Sequence, residues 1–135
     1  MQRCLKTVPF LALAILLAGC NSLQEKEMQK SLREVLHSYG ATVRWGRLEQ
    51  TYSFLQPDLA KQAKIPANLD GIQVTGYELI RQPAGMTNDN ISQSALIRFV
   101  FKDRQVEKTM TDTQHWIYDH ETKVWYRSNP IPEFK

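Results

Sequence analysis

The chain has 135 residues, 17 Lys and Arg against 14 Asp and Glu, and a formal net charge of +3. That length suits one small domain with its own core. The charge balance lacks the strongly basic footprint of a nucleic-acid-binding protein, and two cysteines are too few for a disulfide scaffold.

The first twenty residues carry the most specific signal. Arg3 and Lys6 form a short positive region, followed by the apolar run Val8 to Ala18, 11 residues long. A helix needs about 20 apolar residues to cross a hydrocarbon core of about 30 Å, so this run is too short for a permanent span. A positive start, a short apolar middle and small residues at the end match an export signal.

The run ends in Leu17-Ala18-Gly19-Cys20, which resembles the lipobox of bacterial lipoproteins. The resemblance implies a diacylglyceryl thioether on Cys20, cleavage before it, and acylation of the new amine. Ala18 and Gly19 supply the small side chains a peptidase groove needs beside the cut. Residue 21 is Asn, not the Asp associated with inner-membrane retention. The expected address is therefore the periplasmic face of the outer membrane where the organism has one. Each buried methylene contributes about 0.8 kcal/mol, and one acyl chain alone binds marginally, so two or three chains on one cysteine make a lasting anchor.

This reading divides the chain into a leader over 1–19, a lipidated tether over 20–24 and a single domain over 25–135. Cleavage removes Cys4, Arg3 and Lys6, leaving 116 residues with 15 basic and 14 acidic side chains. With Cys20 lipidated, no thiol remains for a disulfide, a metal site or a nucleophile.

In the mature part, Ser22-Leu23-Gln24-Glu25 reads as a capping box. Met28, Leu32, Val35, Leu36, Tyr39 and Val43 then recur at spacings of three and four, one face of a helix. Gly40 interrupts the pattern and either splits the helix or lets it approach a sheet closely. Gly46 ends it. Leu48, Tyr52 and Leu55 indicate a second helix, limited by Pro57, which itself suits the first position of a short third turn.

The period then changes. Gly71 to Arg81, Ser94 to Phe101, Val106 to Tyr118 and Val124 to Arg127 read as four strands with short connections, an antiparallel meander. In the first, Ile72, Val74, Gly76 and Ile80 share one face and Tyr77 and Leu79 the other. In the second, Ala95, Ile97, Phe99 and Phe101 share a face. Helices followed by strands predict an α+β class, with the N-terminal helices packed on a curved four-stranded antiparallel sheet.

That order, with Arg44-Trp45-Gly46, Tyr52-Ser53-Phe54-Leu55-Gln56-Pro57 and the aromatic hairpin Gln114 to Tyr126, resembles the nuclear transport factor 2-like, or cystatin-like, cone. The resemblance implies a pocket between helix and sheet. Members use it for catalysis, for small apolar ligands or for protein contacts, and fold alone selects none of these.

Asp112, His115 and Tyr118 are the acid–base candidates. In isomerase-like members of the cone fold an acidic residue serves as base and a tyrosine donates to an oxyanion. Asp112 and His115 differ by an odd number, so a regular strand places them on opposite faces. His37, His115 and His120 lack metal-ligand spacing, so no metal is expected. There is no Gly-x-Ser-x-Gly elbow and no phosphate loop, hence no cofactor. Trp45, Trp116 and Trp125 are candidates for a pocket lining or for core packing, with Trp116 and Trp125 as cross-strand partners. Arg98, Lys102, Arg104 and Lys108 make a basic stretch that Asp103 and Glu107 interrupt. The expectation is a lipid-anchored binding or interaction module, meeting an envelope protein, peptidoglycan or a small apolar ligand. An isomerase- or dehydratase-type enzyme and a structural subunit of an envelope complex are the alternatives.

Overall fold

The computed structural model describes residues 8–135, with side chains described from residue 19 onward, Met86 excepted. Arg3, Cys4 and Lys6 of the expected leader lie outside the described residues. Helix α1 runs over Val8–Trp45, and a 3₁₀ turn follows over Leu48–Phe54. Helix α2 covers Pro57–Gln62, and a second 3₁₀ turn covers Leu69–Gly71. Strands β1 (Ile72–Thr87), β2 (Asn90–Phe101), β3 (Glu107–Asp119) and β4 (Val124–Arg127) complete the chain. They form one open antiparallel sheet in the order β1-β2-β3-β4. The class is α+β.

The helical part corrects the sequence reading in two places. α1 passes through Ser22-Leu23-Gln24-Glu25 without a break, so those residues do not cap its start. Nothing in this stretch opposes a helix, because no proline falls between Pro9 and Pro57. Of the two expectations for Gly40, close approach to the sheet is the one observed, since α1 is unbroken there. The second helix is a 3₁₀ turn instead. Gly46 follows the last residue of α1 as expected, though without a positive φ.

Gly40 is explained by what faces it. A Cβ at this position would lie 2.9 Å from Cε1 of Tyr77 on β1. The missing side chain lets α1 settle against the strand. Gly40→Ala should gain about 1 kcal/mol of helix propensity and lose about 1–3 kcal/mol to overpacking. We expect a net loss of about 1 kcal/mol in urea unfolding; a stabilised variant would show that the contact is slack.

One face of the sheet packs on α1. Ile72, Val74, Ala95, Ile97, Phe99, Trp116 and Trp125 are buried there with Tyr39 and Val43 of α1 and Leu48 of the 3₁₀ turn. Tyr39, Phe54 and Trp116 meet edge to face at 5.3–6.2 Å between ring centroids. The C-terminal segment folds back so that Phe134 lies edge-on to Phe99 at 5.0 Å.

The register of β1 departs from simple alternation. Val74 opposes Phe99 and Tyr77 opposes Ile97, so three steps on β1 match two on β2. The extra residue is a bulge. It exchanges the faces of the residues between it and the next register shift, because the side-chain period is two. Tyr77 and Leu79 therefore stand opposite the inward-facing Ile97 and Ala95, contrary to the alternation read from the sequence. Ile80 marks a second shift, between Leu79 and Arg81, and is exposed.

Candidate functional site

The inward positions of β3 are Asp112, Gln114, Trp116 and, beyond them, Tyr118, which opposes the buried Trp125. The first two place an acid and an amide in the core. Burying them unpaired would be costly, and each is paired. Arg127 of β4, whose side chain is 1% exposed like that of Asp112, donates from Nη2 to Oδ1 at 2.7 Å and from Nη1 to Oδ2 at 3.0 Å. Tyr39 donates to the same Oδ2 at 3.3 Å and accepts from Arg127 Nη1 at 2.7 Å. Gln114 Nε2 donates to Oδ2 at 3.0 Å. Arg127 also holds the C-terminal segment, donating to the carbonyls of Asn129 and Pro130.

Burial acts on these groups in different directions. It pushes the phenols of Tyr39 and Tyr77 above their ordinary range. It opposes the charge on Arg127, but the hydrogen bonds and charge of Asp112 outweigh it and hold that guanidinium above its usual value.

From Asp112 a polarised chain runs toward the surface. Asp112, as an ionised partner of Arg127, only accepts, and the indole of Trp116 only donates. Gln114 is thereby oriented: Nε2 toward Asp112 and Oε1 toward Trp116 Nε1, at 3.2 Å. Its Nε2 also reaches Tyr77 Oη at 2.9 Å, and its Oε1 accepts from Gln93 Nε2 at 2.8 Å. Gln93 must therefore present its nitrogen to Gln114, which leaves Oε1 at the far end. Gln93 is 1% exposed, and its Oε1 is the only buried side-chain polar atom without a partner among the described residues. An unmet acceptor of this kind costs about 1–3 kcal/mol.

Gln93 lies in the lining of a cleft of about 490 Å³ between α1 and the outer half of β1. The α1 wall carries Arg33, Leu36, His37, Gly40, Arg44 and Trp45. The opposite wall carries Tyr77, Leu79 and Pro83, all beyond the first bulge. Trp45 is 77% exposed at the mouth, with the Arg44 guanidinium 3.7 Å from its ring centre. Among the described residues, no carboxylate lines this cleft.

The expected site residues are dispersed. Cys20 is exposed on α1 and is the one free cysteine among the described residues. Asp112 is in the core, while His115 is exposed on the other face, as their odd spacing requires. Tyr118 packs against Trp125 with the rings tilted at 54° and their centroids 5.2 Å apart. Trp116 and Trp125 are not cross-strand partners: Trp116 opposes Arg127 and Trp125 opposes Tyr118. His37 reaches the cleft, whereas His120 sits in the β3–β4 turn, 3.0 Å from Asp89. No three potential metal ligands assemble among the described residues. The basic stretch is divided, with Arg98 near Glu78 at 3.6 Å and Arg104 near Asp103 at 3.8 Å.

Sequence reading passed over Gln93 and Gln114. The signal was present, since Gln93 has the parity of Ala95, Ile97 and Phe99, and Gln114 that of Asp112. A polar residue in phase with a buried row is a candidate for an internal network. No protein-family model, no curated protein and no solved structure matches the chain.

Proposed function

We propose that this chain is a lipid-anchored cell-envelope protein whose cone-like domain acts as a binding module through the cleft between α1 and β1. The observation that carries the binding reading is the contrast between the two candidate sites. Asp112 accepts four hydrogen bonds, two from one guanidinium, and is 1% exposed, so it is held in the core as the counter-ion of Arg127, out of reach of a substrate proton. The cleft, by comparison, is open, has an exposed Trp45 at its mouth and joins the core network through Gln93.

The anchor is Cys20, on the lipobox resemblance of Leu17-Ala18-Gly19-Cys20. Among the described residues, no helix is long and apolar enough to cross a membrane. Residues 20–27 of α1 are exposed, and Met28 is its first residue packed on the core. At 1.5 Å per residue, Arg33 lies about 20 Å and Arg44 about 36 Å along the helix from Cys20. The cleft is thus held beyond the anchor on a stalk of about two turns. Asn21 favours the outer membrane.

Cys20→Ser should take up no labelled palmitate and move from the membrane to the soluble periplasmic fraction. Continued labelling and membrane partition of that variant would sink the anchor assignment.

A further inference from the structure

We propose that a basic stripe along α1 docks on an anionic phospholipid surface, so that the domain lies against the bilayer with Trp45 at the level of the headgroups. The inference goes beyond the anchored binding-module reading, in which the lipid on Cys20 is what meets the membrane.

The stripe is read from the spacing of basic residues. Lys26, Lys30, Arg33, His37 and Arg44 follow one another on α1 at steps of four, three, four and seven. At 100° per residue they fall within about 60° of one another around the helix axis. At 1.5 Å per residue the stripe is about 27 Å long. The first four are exposed, and Arg44 is half-buried and donates to the Val74 carbonyl. No acidic residue falls inside the stripe. Glu25 and Glu27 stand about 100° to either side of Lys26, and Glu34 lies about 40° from Lys30. Among the described residues, Lys30 is the only one of the five with a carboxylate partner, Glu34 at 3.9 Å.

The whole chain has 17 Lys and Arg against 14 Asp and Glu, so a stripe of one sign is a segregation of charge and not a reflection of the total. A helix face that serves solvation alone alternates the two signs, whereas a basic face on an amphipathic helix suits a membrane surface. An anionic bilayer offers negative charge over the full length of the stripe.

Lipid is favoured over an acidic protein by the apolar side chains at the two ends. Leu23, 62% exposed, precedes the stripe at about 60° from Lys26. Trp45, the most exposed large apolar side chain among the described residues, follows it, with the Arg44 guanidinium over its ring. An indole beside cations is suited to the boundary between headgroups and acyl chains. The stripe also begins six residues, about 9 Å, from Cys20 on the same helix. A lipid on Cys20 makes the docking intramolecular and raises the effective concentration of the surface.

The purified full chain is reconstituted in phosphatidylcholine vesicles with or without phosphatidylglycerol, each containing brominated phosphatidylcholine. Trp45 fluorescence is obtained by difference from Trp45→Phe, since Trp116 and Trp125 are buried. Brominated lipid is expected to quench Trp45 in the anionic vesicles at low salt, and high salt should abolish the quenching. Arg33→Gln should lower the ratio of docked to undocked protein about fivefold. Lys61→Gln, an exposed basic residue of α2 off the stripe, should leave it unchanged. Equal quenching in neutral and anionic vesicles, or equal effects of Arg33→Gln and Lys61→Gln, overturns the proposal. No quenching in either vesicle also overturns it and is the outcome of a face built for an acidic protein. Mass spectrometry of Cys20 tests the anchor separately, because chain without lipid can be sedimented with the same vesicles.

Discussion

Asp112→Ala is expected to lower the free energy of unfolding by about 3–5 kcal/mol, the usual cost of leaving one partner of a buried ion pair uncompensated. A domain of this size has about 5–15 kcal/mol in total, so the variant should be partly unfolded at 37 °C. The loss comes from Arg127, whose guanidinium stays charged and buried with only backbone carbonyls and Tyr39 as partners. Replacing both members, as Asp112→Leu with Arg127→Met, should cost clearly less than the sum of the single changes, because no buried charge remains. Recovery should be incomplete, since the Asn129 and Pro130 carbonyls lose their donor. Equilibrium urea unfolding of the two singles and the double measures this coupling. Strict additivity would mean that the pair does not act as a unit.

Trp116→Ala should cost a similar amount, about 3–5 kcal/mol. The indole has no exposed surface, meets Tyr39 and Phe54 edge to face, and fixes the orientation of Gln114. Trp116→Phe separates these contributions. It keeps an aromatic ring but removes the N–H, so a loss of about 1 kcal/mol reports one of the two hydrogen bonds to Gln114 Oε1, with a smaller packing defect. A loss below 1 kcal/mol for Trp116→Ala would contradict a central position in the core. The Gln93 side-chain resonance should also move in both variants, because Gln93 becomes the one remaining donor to Gln114 Oε1.

These expectations depend on features of unequal visibility in the sequence. The rows Ala95-Ile97-Phe99 and Ile72-Val74 were legible, because burial on one sheet face imposes a period of two. The row Met28-Leu32-Val35-Leu36-Tyr39-Val43 was legible on the same ground, with a period near 3.6. The strand Val124 to Arg127 was read at its observed limits. The apparent cap at Ser22 was misread, because capping residues also occur inside helices whose neighbours are strong helix formers. The faces of Tyr77 and Leu79 were inverted by one bulged residue, and no local residue pattern announced that bulge. The partner of Trp125 was set by register, since Tyr118 and not Trp116 stands opposite it.

The candidate site was less legible than the fold. Arg33, His37 and Arg44 read only as members of a polar helix face, and Gln93 as an ordinary strand residue. Their meaning depends on which strand α1 meets and on where Gly40 lets it approach. The amide orientations at Gln114 and Gln93 depend on contacts between residues 15, 21 and 37 positions apart. No local pattern encodes such a chain.

By itself the sequence determined the α+β class and the strand order of a meander, and it carries the short motif on which the proposed anchor at Cys20 rests. These follow from composition, short motifs and periodicity, which are local properties of the chain. The tertiary structure alone decided that Asp112 is neutralised by Arg127, that Tyr77 turns inward, and that Gln93 ends a polar chain with an unpaired acceptor beside an open cleft. Each of these depends on register and close approach between distant segments, where a shift of one residue changes the face and a single Cβ changes the distance.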